Sequence, residues 1–129
     1  MSKQPKRSDY IRCGEKATEY NEMVGGADLA RVLARETDHQ YACNIGVWYW
    51  QRGLKRMAVM AYQRSIELCP EPPTYFNLAV CLDDIGDKAG AQDAIGNFYN
   101  MVKDPSERKA AEGGLWQLGK SHLISRQST

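Results

Sequence analysis

The sequence predicts an all-α protein of about seven helices. No segment of the 129 residues shows the sustained alternation of apolar and polar residues that is typical of strands. Glycine, proline and aspartate instead interrupt the chain at fairly even intervals, and the segments between them have typical helix lengths. Within these segments apolar residues recur at spacings of three and four, as they do at Tyr10, Cys13, Ala17, Tyr20 and Val24.

Helix boundaries follow from residues that start or stop helices. Asp38 is suited to cap a helix N-terminus, and Gly86 is suited to the position after a helix end. Asp104, Pro105 and Glu107 together have the spacing of a capping box with proline in the first helical position. The predicted helices are therefore residues 8–24, 27–36, 38–52, 55–69, 73–86, 87–102 and 105–122.

The composition argues against several classes of function. A formal net charge of +1 gives no general attraction to nucleic acid or acidic membranes, and no apolar run is long enough to span a bilayer. Residues 1–7 carry basic side chains without a following apolar segment, which predicts a short flexible tail and not a secretory signal. We therefore expect a cytoplasmic protein that binds neither nucleic acid nor membranes.

Residues able to bind metals or perform catalysis are scattered along the chain. The four cysteines lack the close spacing of zinc ligands, and His39 and His122 are isolated. No glycine-rich loop follows a strand. Asp83, Asp84 and Asp87 form an acidic group without the spacing of a calcium loop, which is typical of a solvated turn. The sequence thus predicts a protein that is not an enzyme, with no catalytic residue, metal site or cofactor.

The second and third quarters of the chain contain an internal repeat. The spacing from Gly53 to Gly86 defines its period, which we call the repeat offset, and a series of small, large and turn residues recurs at the same spacing. Such a series indicates a repeated unit of helix, tight turn and helix. The matched pairs are Asn44 and Asn77, Ile45 and Leu78, Gly46 and Ala79, Tyr49 and Leu82, Ala58 and Ala91, and Tyr62 and Ile95.

This repeat resembles the tetratricopeptide repeat family, over about residues 39–103. The family pattern has a Leu-Gly pair, then Tyr, Ala, an aromatic residue and Pro. The first unit has Ile45, Gly46, Tyr49, Ala58, Tyr62 and Pro70 at these places. In the second unit the terminal Pro is missing. The resemblance implies antiparallel helix hairpins that stack as a short right-handed α-solenoid.

The same resemblance implies the domain organisation. Residues 8–124 would form a single domain between a basic tail and a polar tail at residues 124–129. The repeated units would be flanked by a shortened, divergent hairpin on one side and an end helix on the other. The predicted parts are a first hairpin over 8–37, repeats over 38–70 and 72–104, and an end helix over 105–123.

Three successive aromatic residues, Trp48, Tyr49 and Trp50, pose a packing problem in this scheme. On a helix they fan across roughly 200°, which is wider than one buried stripe. The repeat assigns Tyr49 to the inside of its own hairpin, Trp48 to a side edge and Trp50 to the concave face with Val47. Only Trp50 is then a candidate for function.

Ligand-facing positions of the resembled family can be carried over to the first helix of each unit. They predict a partner-binding stripe that is mostly apolar, with two carboxylates at one end. The predicted residues are Cys43, Val47, Trp50, Gln51, Phe76, Val80, Asp83 and Asp84.

The resemblance therefore implies a non-catalytic adaptor that binds a peptide or protein segment in a partly apolar concave groove. Three occupants of the stripe remain open: a foreign protein segment, a second copy of the chain in a homo-oligomer, and the protein's own N-terminal helices. A self-associating structural module and a small secretion or assembly chaperone are the alternative functions. The sequence does not identify the partner.

Overall fold

The structure is a computed structural model, and it describes residues 27–124. These residues form helices without any strand, which confirms the prediction of an all-α protein. Within this range none of the helices combines the length and apolar character that a bilayer crossing requires. The helix predicted over 8–24 and the tail over 1–7 lie outside the described residues, as does the C-terminal tail after Ile124. The described elements are α1 (Ala27–Arg35), α2 (His39–Gln51), α3 (Lys55–Leu68), α4 (Pro72–Asp84), α5 (Lys88–Met101), α6 (Pro105–Gln117) and a 3-10 turn (Ser121–Leu123).

The described residues divide after Cys69 into two compact units, residues 27–69 and residues 70–124. Of the described elements, α1 to α3 belong to the first unit, whereas α4 to α6 and the 3-10 turn belong to the second.

In the first unit, α2 and α3 pack closely along their length. Asp38 caps α2 as predicted, because its carboxylate accepts hydrogen bonds from the backbone of Gln40 at 2.9 Å and Tyr41 at 3.3 Å. Gly46 faces the ring of Tyr62, and Ala58 is fully buried, so small residues permit the close approach of the two helices.

The short helix α1 is held against α3 in the same unit. Leu29 and Leu33, one turn apart, supply its buried side chains. The guanidinium of Arg64 on α3 donates to the backbone carbonyl of Glu36 at 3.0 Å, just beyond the C-terminus of α1. A basic group at this end satisfies a carbonyl and interacts favourably with the helix dipole.

In the second unit, α4 and α5 form a hairpin of the same construction. Many buried positions of the first hairpin recur here when its residues are shifted by the repeat offset. Small residues again lie at the buried contact between the helices, and larger ones fill the space beside them. The recurring buried residues include Leu78, Ala79, Leu82, Ala91 and Ile95.

The repeat extends to individual backbone hydrogen bonds. In the first turn Gly53 N donates to Trp50 O at 3.0 Å, and Leu54 N donates to Tyr49 O at 3.0 Å. The corresponding bonds in the second turn join Gly86 N to Asp83 O at 3.1 Å and Asp87 N to Leu82 O at 2.9 Å. Both glycines have positive φ, at 77° and 91°, a conformation that costs L-residues with side chains about 1–2 kcal/mol.

A third turn repeats this geometry at the end of α6. Gly119 has φ of 73°, its N–H donates to Trp116 O at 3.1 Å, and Lys120 N donates to Leu115 O at 2.7 Å. The helices α2, α4 and α6 begin and end at successive steps of the repeat offset, and the 3-10 turn begins one such step after α5 begins. The segment predicted as an end helix therefore has the register of the first helix of a third repeat unit, followed by the glycine turn of that unit.

The link from α5 to α6 is fixed by polar contacts. Asp104 caps α6, as predicted, by accepting from the backbone of Ser106 at 2.8 Å. The hydroxyl of Tyr99 donates to the carboxylate of Glu112 at 2.7 Å, and burial together with that contact raises the pKa of Tyr99. Arg108 donates to the carbonyls of Tyr99 and Val102 at 2.8 and 2.6 Å, and so caps the C-terminus of α5.

Candidate functional site

The predicted partner-binding residues of the first unit lie on a different side of α2 from its core. Ile45, Gly46 and Tyr49 are buried, whereas Cys43, Val47 and Trp50 are only half-buried and Gln51 is exposed. Successive residues on a helix point about 100° apart, so these two sets occupy separate faces. The structure thus brings these four predicted residues together on one side of α2.

The three neighbouring aromatic rings have three different environments. Tyr49 is 2% exposed and is part of the hairpin core. Trp48 is half-buried, and the guanidinium of Arg52 lies 3.5 Å from its ring centroid while donating to its backbone carbonyl at 3.0 Å. This cation–π contact lies on the edge of α2. Trp50 has no such covering residue among the ring contacts of the described chain, and it is half-buried.

On α4 the predicted stripe is largely covered within the second unit. Phe76 is half-buried and packs edge-on against Phe98, with ring centroids 5.8 Å apart. A Cβ at Gly114 of α6 would lie 3.6 Å from the ring of Phe76, which is ordinary contact. Val80 is 3% exposed. Of the α4 residues in the predicted stripe only Asp84 is exposed, so the apolar ones contribute to packing in this structure.

Asp83 departs from the expected solvated turn because it is 3% exposed. Its Oδ2 lies 2.6 Å from Nζ of Lys120, and its Oδ1 lies 3.0 Å from Nζ of Lys88 and 2.9 Å from Nε2 of His122. Lys120 also forms an ion pair with Asp84. Asp87 has the different role of capping α5, since it accepts from the backbone of Gly90 at 2.9 Å. The acidic group therefore divides into one buried ion-pair centre and two surface carboxylates.

The charges around Asp83 determine its protonation. Burial alone would raise the pKa of its carboxyl, but hydrogen bonds from Lys120, His122 and Lys88 outweigh burial and hold the pKa well below its usual range. Burial in turn lowers the pKa of Lys120, and the two carboxylates of Asp83 and Asp84 more than compensate and raise it. Asp83 and Lys120 are therefore both ionised near neutral pH.

Lys120 and His122 are residues of this site that sequence reasoning did not find. They lie 37 and 39 residues from Asp83, beyond the range of helix periodicity. The available signal was the glycine spacing, because Gly119 follows Gly86 at the same repeat offset at which Gly86 follows Gly53. Extending the repeat to Gly119 would have placed Lys120 in a turn of known geometry.

The described part of the chain carries the buried pattern on which the tetratricopeptide resemblance is based. In comparisons with known proteins, no family model, no curated protein and no solved structure matches the chain. The resemblance consequently rests on the residues and register of this chain alone.

Proposed function

We propose that the chain is a non-catalytic protein–protein interaction module of the tetratricopeptide type. In this proposal α2 presents Cys43, Val47, Trp50 and Gln51 to a peptide or protein segment. The observation that carries it is the two-sided character of α2, whose core face is buried while Val47 and Trp50 remain partly accessible. A tryptophan whose burial is completed by a partner is a typical centre of binding energy at interfaces.

We place this module in the cytoplasm. Within the described residues no disulfide joins Cys43, Cys69 and Cys81 to one another, and reduced cysteines are the usual state in that compartment. The partner surface is small, so we expect micromolar affinity for a single segment.

Self-association is the second candidate function, and one observation favours it. Trp116 is 69% exposed and Leu118 is 43% exposed, both at the C-terminal end of α6. Large apolar side chains exposed next to each other often mark a contact surface. A second copy of the chain would bury them.

Two alanine substitutions separate the candidates, each serving as the control for the other. Trp50→Ala should abolish capture of a partner from the native cell while leaving helicity and the melting temperature close to those of the unaltered chain. Trp116→Ala should leave capture unchanged. If Trp50→Ala loses helicity or melts much earlier, Trp50 is a core residue and the proposed binding face is wrong.

Sedimentation across a range of concentrations tests self-association. A concentration-dependent dimer that Trp116→Ala dissociates, and Trp50→Ala does not, would support the second candidate. A strict monomer at every concentration would exclude it.

A further inference from the structure

Asp83 occupies the register position in the second unit that Trp50 occupies in the first, one repeat offset earlier. In the structure this carboxylate is already bound by the chain itself. We define the C-terminal segment as Gly119–Ile124. Its Lys120 and His122 approach the two oxygens of Asp83 at 2.6 and 2.9 Å. The segment therefore lies where the repeat pattern places a ligand.

Among the described residues, the C-terminal segment is held chiefly by its side chains. Leu123 is buried, and the 3-10 turn packs against α5 and α6. The backbone bonds of Leu123 and Ile124 are local, to Lys120 O at 2.9 Å and Ser121 O at 3.0 Å. One longer bond joins Lys120 N to Leu115 O at 2.7 Å. Short segments held mainly by side chains open locally at much lower free energy than the fold unfolds.

We propose that the C-terminal segment is an autoinhibitory latch, and that its competitor is a partner segment carrying a lysine or arginine three residues before a leucine-sized apolar side chain. Such a partner would replace Lys120 at Asp83 and Leu123 in its buried position. The assignment of Asp83 to the ligand-facing side rests on the proposed function. Opening of the latch does not rest on the proposed function, because opening is measured without any partner.

The charges favour exchange of one cation for another. Lys88 is exposed and belongs to α5, so it stays beside Oδ1 of Asp83 when the C-terminal segment leaves. Asp84 would lose Lys120 at the same time. The vacated position would then hold two carboxylates and one ammonium group. Two carboxylates beside one ammonium group carry an excess of negative charge, so the open position favours a basic side chain.

The first experiment measures opening in the full chain by amide hydrogen exchange. The double substitution Lys120→Met and His122→Gln removes both groups that contact Asp83 and nearly keeps side-chain length. We expect the amides of Lys120, Leu123 and Ile124 to exchange at least tenfold faster while those of α4 and α5 are unchanged. Lys103→Met, at an exposed lysine of the same unit, is the matched control and should change nothing.

Two results of this experiment would overturn the proposal. Unchanged exchange in the double variant would mean that the contacts of Lys120 and His122 with Asp83 do not hold the segment. Acceleration that spreads through α4 and α5 would mean that the segment is part of the cooperative core of the second unit.

The second experiment adds a synthetic hexapeptide with the sequence GKSHLI and follows binding by calorimetry. We expect it to bind the double variant and, at the same concentration, not the unaltered chain, whose Asp83 is occupied. Replacing lysine in the peptide by methionine should weaken binding at least tenfold. Equal binding to both chains would contradict the latch.

Adding Asp83→Asn to the double variant tests whether the carboxylate of Asp83 binds the peptide. Binding of GKSHLI should be lost while circular dichroism stays helical, and retained binding would contradict the role of Asp83. If Asp83→Asn instead unfolds the chain, the comparison of the lysine and methionine peptides on the double variant decides. If the chain passes these tests but captures no cellular partner, the results support the latch and contradict the proposed function.

Discussion

A Cβ atom placed on Gly46 of α2 would lie 2.6 Å from Cε1 of Tyr62 on α3. Carbon atoms at that separation overlap, so one of the two helices or the ring would have to shift. Tyr62 is 1% exposed, and its ring is enclosed by the hairpin. The absence of a side chain at residue 46 is therefore a requirement of the contact between α2 and α3.

Substituting Gly46 with alanine should destabilise the first unit. Alanine improves helix propensity by about 1 kcal/mol, but overpacking a rigid contact costs about 1–3 kcal/mol, so the clash prevails. Gly113→Ala is the matched control, because a Cβ there meets nothing within 4 Å and only the propensity gain remains. Urea denaturation measures both. A Gly46→Ala variant as stable as the Gly113→Ala variant would refute the close approach.

The turn glycines should tolerate asparagine better than alanine. Gly53 and Gly86 have positive φ and open space around the Cβ position, so strain of the backbone is the whole cost. We expect alanine at either position to lower the free energy of unfolding by about 1–2 kcal/mol, and asparagine to recover part of it. Chemical denaturation of the four variants is the measurement. Equal losses for both residue types would argue against a left-handed turn.

The hairpins could be predicted because their sequence signals lie within a short stretch of chain and occur in both units. Gly46, Ala58 and Tyr62 recur as Ala79, Ala91 and Ile95, so each unit supports the interpretation of the other. The third turn was not predicted because α6 lacks these signals. Its residue at the position of Gly46 and Ala79 is Glu112, which binds the hydroxyl of Tyr99. A polar contact thus replaces the small residue by which the repeat is recognised.

Removing the hydroxyl of Tyr99 should loosen α6 from α5. Tyr99→Phe deletes the hydrogen bond to Glu112 and leaves a partly buried carboxylate without this donor. We expect a loss of about 0.5–1.5 kcal/mol in the free energy of unfolding. Pairing Tyr99→Phe with Glu112→Gln in a double-mutant cycle isolates the contact. Additive losses would show that the two side chains do not interact.

The stability of the second unit should fall as the pH is lowered below about 4, the ordinary pKa range of aspartate. The pKa of Asp83 is lower in the folded chain than in the unfolded chain. As pH falls, the unfolded chain is therefore protonated first, and the stabilisation by Asp83 is lost as pH approaches the folded-state pKa. Urea denaturation of the unaltered chain at several pH values between about 5 and 2 should show this decline.

Asp83→Asn should remove much of that pH dependence. The variant should be about 1–3 kcal/mol less stable at neutral pH, and its stability should decline less steeply on acidification. Asp93→Asn, at an exposed position on α5, serves as the control and should follow the unaltered chain. Parallel pH profiles for the unaltered chain and Asp83→Asn would contradict the ion-pair centre.

The candidate site was less predictable from sequence than the fold. The α2 residues Val47 and Trp50 have the accessibility that their register indicates. Val80 and Asp83 hold the equivalent register on α4 but are buried. Helix periodicity specifies the side of a helix on which a residue lies. It does not specify what the rest of the chain places against that side, and for Asp83 the neighbours come from 37 and 39 residues away.

Because the three glycine turns share one geometry, a helix that precedes one turn should also be able to join the helix that follows another. Deleting residues 54–86 would join Gly53 directly to Asp87 and pair α2 with α5 through a turn that keeps the hydrogen bonds of both parents. Duplicating the same segment would insert another hairpin without altering any other register. A deleted or duplicated segment of any other length would disrupt the turn at its junction. We therefore expect the glycine turns to survive when whole segments of this length are added or removed.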